Sequence, residues 1–299
     1  LGKADTTYTM EKITLGSSQE TWLRQHEQGG RNWLIPRWNG EPRVNKGPMS
    51  IWINMAAWWP LDPQTAEPQT LVHRARLAGV LLALVTAGCT FWAGMSVGGI
   101  RVAMMAMLAT GTCLLFVRQG RWASYDVHLT AFTALAIASG LWAMRPLKAS
   151  SGLDRRVVGW LICGLALAIV LPPMALMIAV VPSRRLGNAL GFVFAVAVGA
   201  LITAPWLIYV VQQAPTLGLE RPLGEIFTET KLANPTNPSQ DSDQPFYYYA
   251  LLIFWVFPWP VWLIGGLFQP WVRGEGDRRR QLLIAWLWFV GLFVVLSIA

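Results

Sequence analysis

WLIPRWNGEPRVNKGP, Trp33 to Pro48, sets the reading of the whole chain. It is polar and basic, and membrane-seeking sequence follows it at once. Arg37, Arg43 and Lys46 place three cations within ten residues. Gly40, Pro42, Gly47 and Pro48 forbid a long helix and favour a tight, turn-rich loop. A rigid cationic loop at a membrane surface suits a lipid-borne phosphate, because Arg and Lys give its oxygens charge-assisted hydrogen bonds. The plainer reading is a basic juxtamembrane loop that only touches headgroups.

Composition supports the membrane setting. The 299 residues are 54% hydrophobic and 13% charged, with 17 Trp, and soluble domains are about 25% charged. The net charge of +8 is spread over short loops, so no nucleic-acid-binding face is expected. Cys89, Cys113 and Cys163 lie in apolar runs and suggest neither disulfides nor a metal site. His73 and His128 have no second ligand at metal spacing and read as structural. The chain opens in polar sequence and ends within or at the end of an apolar run, so a fragment of a longer protein is expected.

Residues 1–76 read as an external region with juxtamembrane helices, and residues 77–299 as a transmembrane helical bundle. Met49–Trp59 is too short to span and reads as an interfacial helix carrying Trp52, Trp58 and Trp59. Expected spans are Leu77–Val97, Ile100–Val117, Val127–Met144, Val157–Val181, Ala189–Val211, Phe246–Phe268 and Leu282–Ala299. Val157–Val181 is the awkward one. Arg145, Lys148, Arg155 and Arg156 precede it, Arg184 and Arg185 follow it, and the positive-inside rule wants both clusters on one side. A helical pair that goes out and returns at Pro172–Pro173 resolves the conflict. Leu1–Arg76, Arg118–Asp126 and Gln212–Pro245 then share the outer face, where Arg118 and Arg121 break the charge rule.

GRNWLIPRWNGEPRVNKGP resembles the first external loop of polyprenyl-phosphate-dependent glycosyltransferases of the GT-C class, which include the aminoarabinose transferases of lipid A and the protein O-mannosyltransferases. In bacterial members that loop reads about GDW-L-P-x-F-x-G, then E-K-P-P. Trp33, Leu34, Pro36, Asn39, Gly40, Lys46 and Pro48 keep the pattern, while Asn45 replaces Glu and Gly47 the first Pro. RQGRWASYD, Arg118 to Asp126, is similar to the family's second catalytic loop, an Arg followed five residues later by an acid. GSSQETWLRQH occupies the place of the family's Asp-Glu motif, with Gln19 at the Asp and Glu20 at the Glu. DQPFYYYALLIFWVFPWP resembles H-x-x-P-F-W-Y-Y without its His, and Val170–Pro173 stands where relatives have T-K-G-P. Trp206, after Pro205, closes a span much as in the relatives.

The resemblance implies an all-α polytopic membrane protein, a GT-C-type helical bundle with outer loops and short interfacial helices, in a bacterial inner membrane with its site facing the periplasm. It implies transfer of a sugar from a polyprenyl-phosphate donor to a hydroxyl of a lipid, glycan or protein acceptor, with inversion. Glu20 and Asp126 are the candidate acids, Asp126 with an expected partner in Arg121. Lys46, Arg43, Arg118 and Arg121 are the candidate phosphate ligands, and Arg24, Asn45, Tyr247 and Tyr248 the candidate substrate pocket. No cofactor is expected. Glu20 and Arg24, at i and i+4, read equally as a solvated helix pair. A flippase, or a non-catalytic relative that binds polyprenyl phosphate, remains the alternative, the latter on Gln19, Asn45 and Leu171.

Overall fold

The computed structural model describes residues 6–44, 48–144, 152–168, 185–219 and 257–272, with Arg279, Leu283 and Trp286. Apart from connecting turns and one hairpin, these are helical. Two compact units emerge, Leu1–Thr86 with Phe116–Phe132 and Leu201–Asn237, and Ala87–Leu115 with Thr133–Ala200 and Pro238–Ala299.

The first unit opens with α1, Thr6–Gln28. This polar stretch, read from sequence as part of an external loop region with juxtamembrane helices, is one continuous helix. The helix forms because only Gly16 interrupts it, and it stops where Gly29 and Gly30 take positive φ, with Gly29 N donating to Gln25 O at 3.0 Å. What α1 buries is small and polar: Thr14, Ser17, Ser18 and Thr21. These pack on α2, Met49–Trp58, where Asn54 donates to Ser18 at 3.3 Å and Ser18 donates onward to Thr14 O at 2.8 Å. Small hydroxyl side chains let two helices approach closely and bond across the contact.

Between these helices the cationic loop folds as expected for Asn-Gly. Strands β1, Arg37–Trp38, and β2, Glu41–Pro42, pair through a two-residue turn in which Asn39 and Gly40 have φ of 54° and 83°. Both central residues of a type I′ turn require positive φ, which Asn and Gly tolerate. Among the described residues this hairpin is the one departure from an all-helical reading.

Of the three tryptophans expected at the interface, two are engaged within the protein. Trp58 is 2% exposed and donates to Leu71 O at 2.9 Å, and Trp52 donates to Trp33 O at 2.8 Å. Trp59, 81% exposed, remains suited to the headgroup layer.

The helix α3, Pro68–Thr112, starts with proline at its first position and contains a reversal at Gly99 (φ 76°, ψ −167°). A straight helix would separate Gly94 and Ala103 by roughly 13 Å along its axis. Instead a Cβ on Gly94 would lie 2.6 Å from Ala103 Cα. The segment is therefore two arms folded back, matching the expected pair of spans on either side of residues 98–99. After α4, Leu114–Gly120, and α5, Tyr125–Met144, the second unit adds α6, Gly152–Leu167. Next comes α7, Arg185–Leu217, with Pro205 and Pro215 inside it. Pro260–Val272 forms α8, whose leading Trp259 donates to Thr112 at 2.8 Å, while Leu114 N, freed by the break at Cys113, donates to Phe257 O at 3.0 Å.

Glycines set the packing of α6. Cβ atoms on Gly187, Gly191 and Gly199 would meet Arg156, Trp160 and Ala168, and one on Gly164 would meet Ala195. These partners advance together along both helices, so α6 and α7 run parallel with small residues at the contact. The end of α6 and the start of α7 therefore lie at opposite ends of the layer, as an out-and-return connection requires, and Arg156 stands beside Gly187 as the charge rule wants. Pro172–Pro173 lies outside the described residues. Among the described residues three helices are long and apolar enough to cross a membrane: Pro68–Thr112, Tyr125–Met144 and Gly187–Leu217. With the reversal in α3 they supply four apolar arms. The protein is an integral membrane protein.

Candidate active site

An open cleft of about 540 Å³ runs along α1 in the first unit. Glu11, Lys12, Leu15, Gly16, Gln19, Glu20 and Leu23 form one side, and Trp38, Val72 and Arg76 complete it. The α1 residues recur at helical spacing, which is why one face presents them all.

Glu20 sits at this cleft, held by its Oε1. Gly40 N donates to that atom at 3.0 Å and Arg24 Nε at 3.3 Å, so the helix pair expected at i and i+4 forms. No donor meets Oε2 among the described residues. The acid therefore fastens the hairpin tip to α1 with one oxygen, in a side chain that lines the cleft. Arg37 donates to Gly40 O at 2.7 Å and clamps the same turn. Burial holds the Arg37 guanidinium below its usual range, with Arg24 adding to the effect and Glu20 opposing it; an arginine so perturbed still stays charged. Gln19 donates to Pro63 O at 3.3 Å, so it serves as a structural donor where the family pattern has an acid.

Glu11 was missed by sequence reading. It is 3% exposed and takes a bidentate pair from Arg76, at 2.9 Å and 2.8 Å. Its Oε1 also accepts from Ala123 N at 2.9 Å, and the Arg76 guanidinium lies 4.8 Å from the Trp122 ring centroid. With two guanidinium donors and a backbone N–H, this carboxylate is engaged as a clamp. It ties α1 and the start of α3 to residues 118–126. The only sequence signal was an acid within an uninterrupted helix, and nothing local pointed to a partner 65 residues away.

Within residues 118–126, Arg118 is half-buried in the last turn of α4 and Arg121 is exposed in the turn after it. Asp126 is exposed in the first turn of α5, and among the described residues no ion pair joins it to Arg121. The expected partner is not needed there, since water and the positive end of α5 solvate the carboxylate. Neighbouring His128 is 1% exposed, its Nδ1 on Ser124 O at 2.7 Å, consistent with a structural role. Trp206 does not close its span. It lies mid-helix in α7 and donates to Leu34 O at 2.8 Å, while Val210 packs on Ile35 and Val44. The described residues of the three stretches assigned to one face, 6–44 and 48–76, 118–126, and 212–219, fall in the same unit, which also holds half-buried Arg43; residues 220–245 lie outside the described residues. Asn45, Lys46, Tyr247 and Tyr248 lie outside the described residues.

An integral-membrane helical bundle with a juxtamembrane helix, a cationic hairpin and an acid at the cleft between them defines the class, and the fold is that of the GT-C membrane glycosyltransferases. In sequence the chain is similar to the undecaprenyl phosphate-α-4-amino-4-deoxy-L-arabinose arabinosyl transferases. The relative from Erwinia tasmaniensis is 25% identical over 279 residues, 89% of this chain and 48% of its own length. The one from Edwardsiella ictaluri is 25% identical over 281 residues, 90% of this chain and 48% of its own. The crystal structure of ArnT from Cupriavidus metallidurans bound to undecaprenyl phosphate superposes with a TM-score of 0.73 at 21% identity. It covers 97% of this chain and 51% of that one, and its apo state gives a TM-score of 0.71. The chain spans about half the length of the curated relatives it matches. No family model matches it.

Proposed function

We propose that the chain carries the catalytic part of an inverting glycosyltransferase that moves a sugar from a polyprenyl-phosphate donor to an acceptor hydroxyl. Residues 1–76 would form the outer catalytic region over the bundle of residues 77–299, on the periplasmic side of an inner membrane. The observation that carries the reading is Glu20, a cleft-lining acid anchored through one oxygen, in a fold like that of a transferase bound to undecaprenyl phosphate. Glu20 Oε2 removes the acceptor proton, and the acceptor oxygen displaces the lipid phosphate at the anomeric carbon. Arg43, Lys46, Arg118 and Arg121 stabilise the charge that gathers on the departing phosphate. Arg24 holds Glu20 in place, and Asn45, Tyr247 and Tyr248 serve the substrate pocket.

Phosphate binding is the direct test. With the full chain in detergent, Lys46→Ala and Arg121→Ala should each weaken undecaprenyl phosphate binding by roughly one to two orders of magnitude, the worth of a charge-assisted contact. Unchanged affinity in both would reduce these cations to headgroup contacts. Sidedness has its own test. Cysteines at exposed Asn39 and Arg121 should label from one side of the membrane with an impermeant thiol reagent, and a cysteine at Arg101, beside the α3 reversal, from the other. Labelling of Arg101→Cys from the same side as Asn39→Cys would overturn the topology.

A further inference from the structure

We propose that the cleft along α1 is a saccharide subsite with Trp38 as its stacking platform. The inference rests on the transferase reading and adds to it the chemistry that meets the sugar. Trp38 borders the cleft half-buried. A Cβ on Gly16 would overlap its Cζ3, with Cη2 at 2.7 Å and Cε3 at 2.9 Å. One ring atom is nearest and both its neighbours lie farther off, so the indole meets α1 edge-on rather than flat. Gly16 therefore touches an edge of the ring rather than one of its faces. The hairpin fixes that stance, since Arg37 and Glu20 both bind Gly40 and Ser17 donates to Arg37 O at 2.8 Å.

The groups around the ring suit a sugar better than a lipid tail. Half of the lining residues are polar: Glu11, Lys12, Gln19, Glu20 and Arg76. Glu11 and Arg76 satisfy each other, but an isoprenoid chain would cover Lys12, Gln19 Oε1 and Glu20 Oε2 without giving them partners. A sugar ring instead presents an apolar face of C–H groups to the electron-rich indole and a rim of hydroxyls to Lys12, Gln19 Oε1 and Glu20 Oε2. The cleft volume falls in the range of small-ligand sites, roughly 300–1,000 Å³. The ring could come from the lipid-linked donor or from the acceptor; the same chemistry recognises both.

The test uses the full chain in detergent and saturation-transfer NMR with methyl glycosides of glucose, galactose, mannose and arabinose. Trp38→Ala should weaken glycoside binding about tenfold or more through the lost aromatic area. Trp38→Phe should restore most of it, and Lys12→Ala, at an exposed position, should weaken it severalfold without altering the melting curve. Bare undecaprenyl phosphate should bind all variants as it binds the unaltered chain. Displacement of the glycoside by undecaprenyl phosphate 4-amino-4-deoxyarabinoside assigns the ring to the donor, and persistence assigns it to the acceptor. Equal glycoside binding by Trp38→Ala, or no binding by any variant or by the unaltered chain, overturns the subsite while leaving the transferase reading intact. Failure of undecaprenyl phosphate to bind the unaltered chain overturns that reading itself.

Discussion

Glu20→Gln is expected to abolish sugar transfer while leaving undecaprenyl phosphate binding and the melting temperature unchanged. Glutamine keeps an Oε1 that can accept from Gly40 N and Arg24, so the hairpin stays fastened to α1. What it loses is an oxygen able to take a proton. General-base catalysis is worth about 10²–10⁴ in rate, and a loss of that size in a single-turnover assay is the expected reading. Asp126→Asn separates the two acids. Because Asp126 is exposed and unpaired with Arg121, its amide strands no buried cation, and fold and donor binding should survive. Full turnover in Glu20→Gln would pass the base role to Asp126. Activity in both would end acid–base catalysis from these segments.

Much of this architecture was legible because membrane-spanning sequence is locally marked. The paired arms of α3 follow from two apolar runs around Gly98–Gly99, and the tight turn, though not its two strands, follows from the Gly and Pro residues of 40–48. The parallel course of α6 and α7 agrees with charge clusters that a single crossing would have separated. What stayed hidden depends on distant contacts. The polar helix α1 has no apolar period because its buried face is Thr14, Ser17, Ser18 and Thr21, which pattern reading counts as exposed. Trp58 looked like a membrane anchor, since composition cannot distinguish an indole in the headgroup layer from one bonded to Leu71 O. The Glu20–Arg24 pair was readable, because its members lie one turn apart. The Glu11 clamp was not, because its partners come from the start of α3 and from residue 123. Gly16 is a case between the two: a glycine in a helix signals a close approach, yet only the fold names Trp38 as the ring that approaches.

That hidden clamp carries the largest expected effect on stability. Arg76→Met should leave the Glu11 carboxylate, 3% exposed, with Ala123 N as its one remaining partner among those it now has. Removing one member of such a pair costs about 3–5 kcal/mol, because the survivor is a buried charge without its counter-ion. The side chain of Arg76 is 36% exposed, so the reverse deletion is milder: in Glu11→Gln the guanidinium can turn to water and the amide oxygen still accepts one bond. That variant should lose about 1–3 kcal/mol. The double variant Glu11→Leu with Arg76→Met should be more stable than Arg76→Met alone, since no charge is then left buried. Chemical unfolding in detergent reads all three. Each single variant should also weaken undecaprenyl phosphate binding, because the clamp sets the position of the segment that carries Arg118 and Arg121. If Arg76→Met melts like the unaltered chain, the pair is not holding α1 to that segment, and the convergence of the two loops must rest on the packing of Trp122 and Ala123 instead.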